Sequence, residues 1–113
     1  MHYKRSDRVA AFIRQEVGSM LVRQIKDPAL ALITVTKTRV TDDLRHAKIY
    51  YSVYGDEQKK DAAAKALERA KGFMRTELGH RLTLRFVPEI TFVFDDTTEY
   101  ADHIEHLLKK IKT

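Results

Sequence analysis

Arg69, Lys71, Arg75, Arg81 and Arg85 crowd around Gly72 in a run whose one acid is Glu77, a net charge of +4 over residues 69–85 of this 113-residue chain. Guanidinium and ammonium groups packed this closely suit phosphate, the first as a planar bidentate fork and the second as a point charge. The glycine sharpens the point. Inside a helix it costs about 1 kcal/mol relative to alanine, so it is kept out unless the backbone bends or something approaches closely. A bend between Ala70 and Gly72 would leave the opening amides of the next helix free for a phosphate, with Lys71 and Arg75 beside them. Gly72 could equally serve close packing against the N-terminal helix, and the two uses are compatible.

Other clusters carry less. His103 and His106 are spaced to share a metal on one helical face, helped by Asp102, Glu99 or Asp95, but no third ligand is well placed and a solvated helix face accounts for them. Asp95 and Asp96 are consecutive at the end of a strand-like run, so they point to opposite faces and suit a turn and a helix cap better than paired acid–base work. Ser6, Ser19 and Ser52 lie in no nucleophile elbow, and there is no phosphate loop. Tyr50, Tyr51 and Tyr54 could stack bases, although Tyr51 shares the core face of its strand. His46 and His80 sit among basic residues. Nothing here calls for catalysis, a metal or a cofactor.

The net charge is +5, and its distribution says more than its size. Residues 1–26 hold six bases against two acids, 27–68 cancel, 69–85 hold five against one, and 86–105 hold six acids and no base. Two basic segments would make a polarised surface if the fold joins them, and polyanions, nucleic acid above all, are the partners such a surface attracts. A protein-interaction module with a merely solvated basic face is the competing reading, since Lys and Arg are common on any surface. Absence of cysteine excludes disulfides and thiolate metal sites. No apolar run approaches membrane-spanning length, and the charged first residues, MHYKRSDR, do not resemble a secretory signal; a cytoplasmic protein is expected.

The elements that must position these residues follow from periodicity. Val9, Phe12, Ile13, Val17, Met20, Leu21 and Ile25 predict a helix from about Ser6, its N-cap, to Ile25, stopped by Asp27-Pro28. Leu32–Val40 and His46–Tyr54 read as two strands of a hairpin. In the first of these, Ile33 and Val35 favour one inward face and Val40 the other. A small-residue helix over Asp61–Ala70, a kink at Gly72 and a further helix come next. Leu84–Asp95 then reads as a strand that Pro88 confines to an edge or a bulge. Thr97 or Thr98 can cap a last amphipathic helix. The expected class is α+β, with helices on one face of a small sheet.

The order α-β-β-α-kink-α-β resembles the KH-like type II domain, whose central turn normally carries GxxG and clamps a nucleic-acid backbone. GxxG is absent here, and Ala70-Lys71-Gly72 stands in its place. With RVAAFIRQEV at 8–17, KDPAL at 26–30, TDDLRHAKIYYSV at 41–53, AKGFMRTELGHRLTLRFVPEITFVFDD at 70–96, and Thr97 after the two aspartates, the chain resembles the ribosome-binding factor A family over nearly its whole length. The resemblance implies a KH-like RNA-binding domain over residues 1–96 and a helical tail over 97–113. It implies a non-catalytic, monomeric assembly factor for the free small (30S) ribosomal subunit and its 16S rRNA, active in late rRNA maturation and in the cold, with ribosomal proteins or other assembly factors as further partners. The RNA-binding residues it implies are Arg69, Lys71, Gly72, Arg75, Arg81 and Arg85 around the kink, extended by Arg5, Arg8, Arg45 and Lys48. Without GxxG, contact with the shape and phosphates of folded RNA is expected rather than base-by-base reading.

Overall fold

The computed structural model describes residues 4–95. Three-and-four spacing of apolar residues becomes helix α1, Arg5–Arg23, one residue ahead of its expected start. Ser6 is therefore not the cap. Lys4 holds that position, and its backbone N–H donates to the Asp7 carboxylate at 3.3 Å, while Ser6 is buried in the first turn. After α1, Asp27 accepts from the Ala29 amide at 3.0 Å and opens a short 3-10 turn, Pro28–Leu30.

Strands β1 (Ile33–Val40) and β2 (His46–Val53) form the antiparallel hairpin, and β3 (Glu89–Phe94) returns parallel to β2, giving the order β1-β2-β3. The open question of which face of β1 turns inward has a simple resolution. Register slips by one between Val35 and Lys37, so Thr36 is an extra residue with no opposite number. Such a bulge exchanges the two faces of a strand. Ile33 and Val35 pair with Val53 and Tyr51 on one side of it, Val40 pairs with Ala47 on the other, and all turn to the core. The Thr36 hydroxyl, displaced by the bulge, donates to the buried Asp95 carboxylate. Asp95 thus closes the sheet at its third strand.

Between β2 and β3 the chain forms one helix, α2, Glu57–Arg81, capped by the Asp56 carboxylate accepting from the Lys59 amide at 3.0 Å. Two helices with a kink at Gly72 were expected, and the structure has a single hydrogen-bonded element there. The reason lies in the buried stripe. Ala63, Ala66, Leu67, Met74 and Leu78 keep helical phase across the glycine, so both halves pack on the same core only if the helix continues. Met74 and Leu78 are fully buried, each worth about 1.5–3 kcal/mol, which outweighs the roughly 1 kcal/mol cost of the glycine. β3 is shorter than expected: residues 82–88 form a loop, and Pro88 is buried just before the strand, which lies at the sheet edge.

Both helices cover one face of the sheet. Val9, Ile13, Val17, Met20 and Leu21 from α1 share a core with Leu67, Met74 and Leu78 from α2 and with Ala47, Ile49, Tyr51 and Ile90 from the strands. Tyr51 lies in that core, its ring edge-on to Phe94, whereas Tyr50 faces outward beneath Lys37, whose ammonium is 4.5 Å from the ring centre. Among the described residues no helix is long and apolar enough to cross a membrane. The expected tail helix, with His103 and His106, lies outside the described residues.

Candidate nucleic-acid interface

The basic residues singled out as candidates divide into two sets by what their side chains touch. Around Gly72 most are engaged with the fold. Arg69 meets Asp27 at 3.1 Å, and Lys71 meets Glu68 at 3.1 Å one turn back on the same helix. Arg75 binds Glu89 at 2.9 Å and donates to the carbonyls of Val87 and Pro88 at 3.3 and 3.4 Å, clamping the loop onto α2. Arg81 joins the helices: its guanidinium meets Glu16 of α1, Gln24 at the C-terminal cap of that helix, and Glu77 of its own helix.

Gly72 does not make the phosphate cradle expected of it. As α2 continues through it, the neighbouring amides stay in the helical ladder, and no helix N-terminus opens there. The Thr76 hydroxyl donates to the Gly72 carbonyl at 3.0 Å, as happens along an intact helix. Nor does Gly72 serve close packing, because an added Cβ would meet nothing within 4 Å. The glycine of α2 that does is Gly79, where a Cβ would fall 2.9 Å from the Val87 side chain.

The second set lies where α1 begins, the hairpin turns and the loop leaves α2. Arg5, Arg8, Arg45, Lys48 and Arg85 are exposed, and among the described residues none has an ion-pair partner. Arg5, Arg45 and Arg85 line one hollow of about 230 Å³, with Phe86 on its wall. Arg8, three residues after Arg5, extends the same side of α1, and Lys48 stands on the uncovered face of the sheet opposite Arg39.

Local chemistry explains why three distant arginines meet. Asp42 takes a hydrogen bond from the Ser6 hydroxyl at 3.4 Å and an ion pair from Lys4 at 3.8 Å, tying the hairpin turn to the start of α1. Within the turn, the Asp43 carboxylate accepts from the Thr41 hydroxyl at 2.7 Å and the Arg45 amide at 3.0 Å. The Thr41 hydrogen bond, then that from Arg45, with the nearby His46 and Arg45 charges, holds the Asp43 carboxyl below its ordinary range, so it remains ionised at neutral pH. Leu44 takes a φ of 63°, uncommon for a bulky residue, while its side chain packs against the core. The Arg45 carbonyl then accepts from the Glu89 amide at 2.8 Å, joining the turn to the start of β3.

Phe86 escaped sequence reasoning because Leu84–Asp95 reads as one continuous strand. The available signal was Pro88, which is better placed at a strand's first residues than within it.

An antiparallel hairpin, a crossover helix and a parallel third strand, with both helices on one face, define a KH-like type II domain of the α+β class. Residues 5–108 match the family described as Ribosome-binding factor A, and the chain belongs to that family. The Ribosome-binding factor A of Syntrophobacter fumaroxidans is 49% identical over 113 residues, covering 98% of this chain and 97% of the relative. The crystal structure of ribosome-binding factor A from Thermus thermophilus superposes with a TM-score of 0.67 at 24% identity, covering 78% of this chain and 93% of that one. A Thermus thermophilus RbfA homology model, fitted into a cryo-EM map of a 30S–RbfA complex, superposes with a TM-score of 0.61 at 25% identity, covering 74% and 87%.

Proposed function

We propose that this protein is a non-catalytic ribosome assembly factor that binds the free small (30S) subunit through 16S rRNA and assists late rRNA maturation, including in the cold. Its site of action would be the cytoplasm, and it would act as a monomer. Residues 1–96 would supply the RNA-binding domain. Family membership supports the general role, as does the Thermus thermophilus relative fitted to a 30S complex. The observation that carries the mode of binding is the convergence of Arg5, Arg45 and Arg85, unpaired among the described residues, on one exposed hollow. Permanent charges held by three different elements suit the phosphates of folded RNA, which fix register without needing a base code. Arg8 and Lys48 extend this surface. Arg69, Lys71, Arg75 and Arg81 would contribute mainly through the fold they hold together.

Co-sedimentation with isolated small subunits and with complete ribosomes, at graded salt, tests the reading. Preference for the isolated subunit is expected, with log affinity falling against log salt by about 0.7–0.9 for each phosphate neutralised. Binding that ignores salt would assign the basic face to solvation and the protein to a protein-interaction role.

A further inference from the structure

Phe86 is 57% exposed, although the residues that follow it, Val87 and Pro88, are half-buried and buried. Arg75 grips the carbonyls of both, so the loop cannot roll to hide the ring. Two guanidiniums approach that ring, Arg45 at 5.4 Å and Arg85 at 5.5 Å from its centre, and Arg5 completes the hollow. Cations at this distance are held by the quadrupole of the ring, and guanidinium is a weakly hydrated group that leaves water for such contacts. The hollow is too small to enclose a drug-sized molecule, so an occupant lies against it and continues beyond.

We propose that this hollow takes an unpaired nucleotide of RNA: the base stacks on Phe86, and Arg5, Arg45 and Arg85 hold the phosphates that flank it. This deepens the RNA-binding role proposed above and rests on it. Duplex RNA keeps its bases stacked inside and would meet only the arginines, whereas a splayed-out base meets an aromatic ring that already carries cations. An acidic peptide would satisfy the arginines and leave the ring without a partner. Among the described residues Asp43 is the one acid lining the hollow; it is tied to Thr41 and to the Arg45 amide and forms no direct ion pair with the guanidiniums.

The chain has no tryptophan, so Phe86→Trp installs a single indole, whose emission can be excited apart from that of the tyrosines. Titration of that variant with a short oligouridylate should quench indole emission, and an RNA duplex of equal length should not. Phe86→Leu should bind oligouridylate and isolated small subunits about ten-fold more weakly, with urea unfolding and the salt slope unchanged, while Phe86→Tyr should bind as the parent does. Parent-like binding by Phe86→Leu, with a normal salt slope, would overturn stacking and leave the RNA-binding role standing. Failure of the parent itself to bind small subunits would overturn both. Quenching by polyglutamate as strong as that by oligouridylate would overturn the proposal in favour of an acidic protein segment.

Discussion

Arg81 and Arg85 are four residues apart, and the structure uses them in opposite ways. Arg81 lies between the helices with about a quarter of its side chain exposed, and its partners Glu16 and Glu77 are similarly covered. Arg85 stands in the loop with no described ion-pair partner and an aromatic ring beside it. A count of charge along the sequence treats the two alike. Their difference shows that positive charge available to a polyanion is what remains after the fold has taken its own share, and Arg5, Arg45 and Arg85, which line one hollow, belong to that remainder.

Arg81→Ala presses hardest on that division. It strands Glu16 and Glu77 in a partly desolvated seam and cuts the link to Gln24, so stability should fall by about 2 kcal/mol. This is less than for a fully buried pair, because each group retains some contact with water. Urea unfolding would show it, and the protein that remains folded should keep its affinity and salt slope for small subunits. A shallower slope would move Arg81 into the RNA-facing set. Arg85→Gln and Arg5→Gln should do the reverse, with unfolding free energy within about 0.5 kcal/mol of the parent. Each should weaken subunit binding several-fold and lower the salt slope by about 1. Unchanged slopes for both would remove the hollow as the point of contact.

Much of this was legible in advance, and particular residues show where legibility stops. The stripe from Val9 to Leu21, the alternation from Ala47 to Val53 and the Asp27-Pro28 stop each express a local rule, and the corresponding elements lie within a few residues of expectation. Thr36 does not. A bulge residue looks like any strand residue, and the conflict between Val35 and Val40 was its only trace. Ionic partners are harder still, since Arg81 meets Glu16 across 65 residues of chain and no periodicity encodes that pairing. Gly72 misled for a related reason. Glycine permits a bend without requiring one, and the unbroken phase of Leu67, Met74 and Leu78 argued for continuity.

The two glycines of α2 carry the comparison to backbone scale. Gly79→Ala places a methyl 2.9 Å from the Cγ2 of Val87, a stiff β-branched side chain held in the loop that Arg75 clamps. Overpacking of this kind costs about 1–3 kcal/mol, and the better helix propensity of alanine returns up to about 1, so a net loss near 1 kcal/mol is expected in urea unfolding. Adding Val87→Ala to Gly79→Ala should recover part of that loss, and failure to recover any would trace it to something other than the clash.

Gly72→Ala should have the smallest effect, and of opposite sign. The new methyl meets nothing within 4 Å, and the helix around Gly72 already has the conformation alanine prefers, so stability should rise by about 0.5–1 kcal/mol. Subunit binding should stay unchanged, because the phosphate contact we propose is at Arg5, Arg45 and Arg85. A more stable variant that bound several-fold more weakly would mean that RNA approaches the bare backbone at Gly72 after all. The division between fold-holding and RNA-facing charge would then have to be redrawn to include Lys71, whose surface ion pair with Glu68 is weak enough to be exchanged for a phosphate.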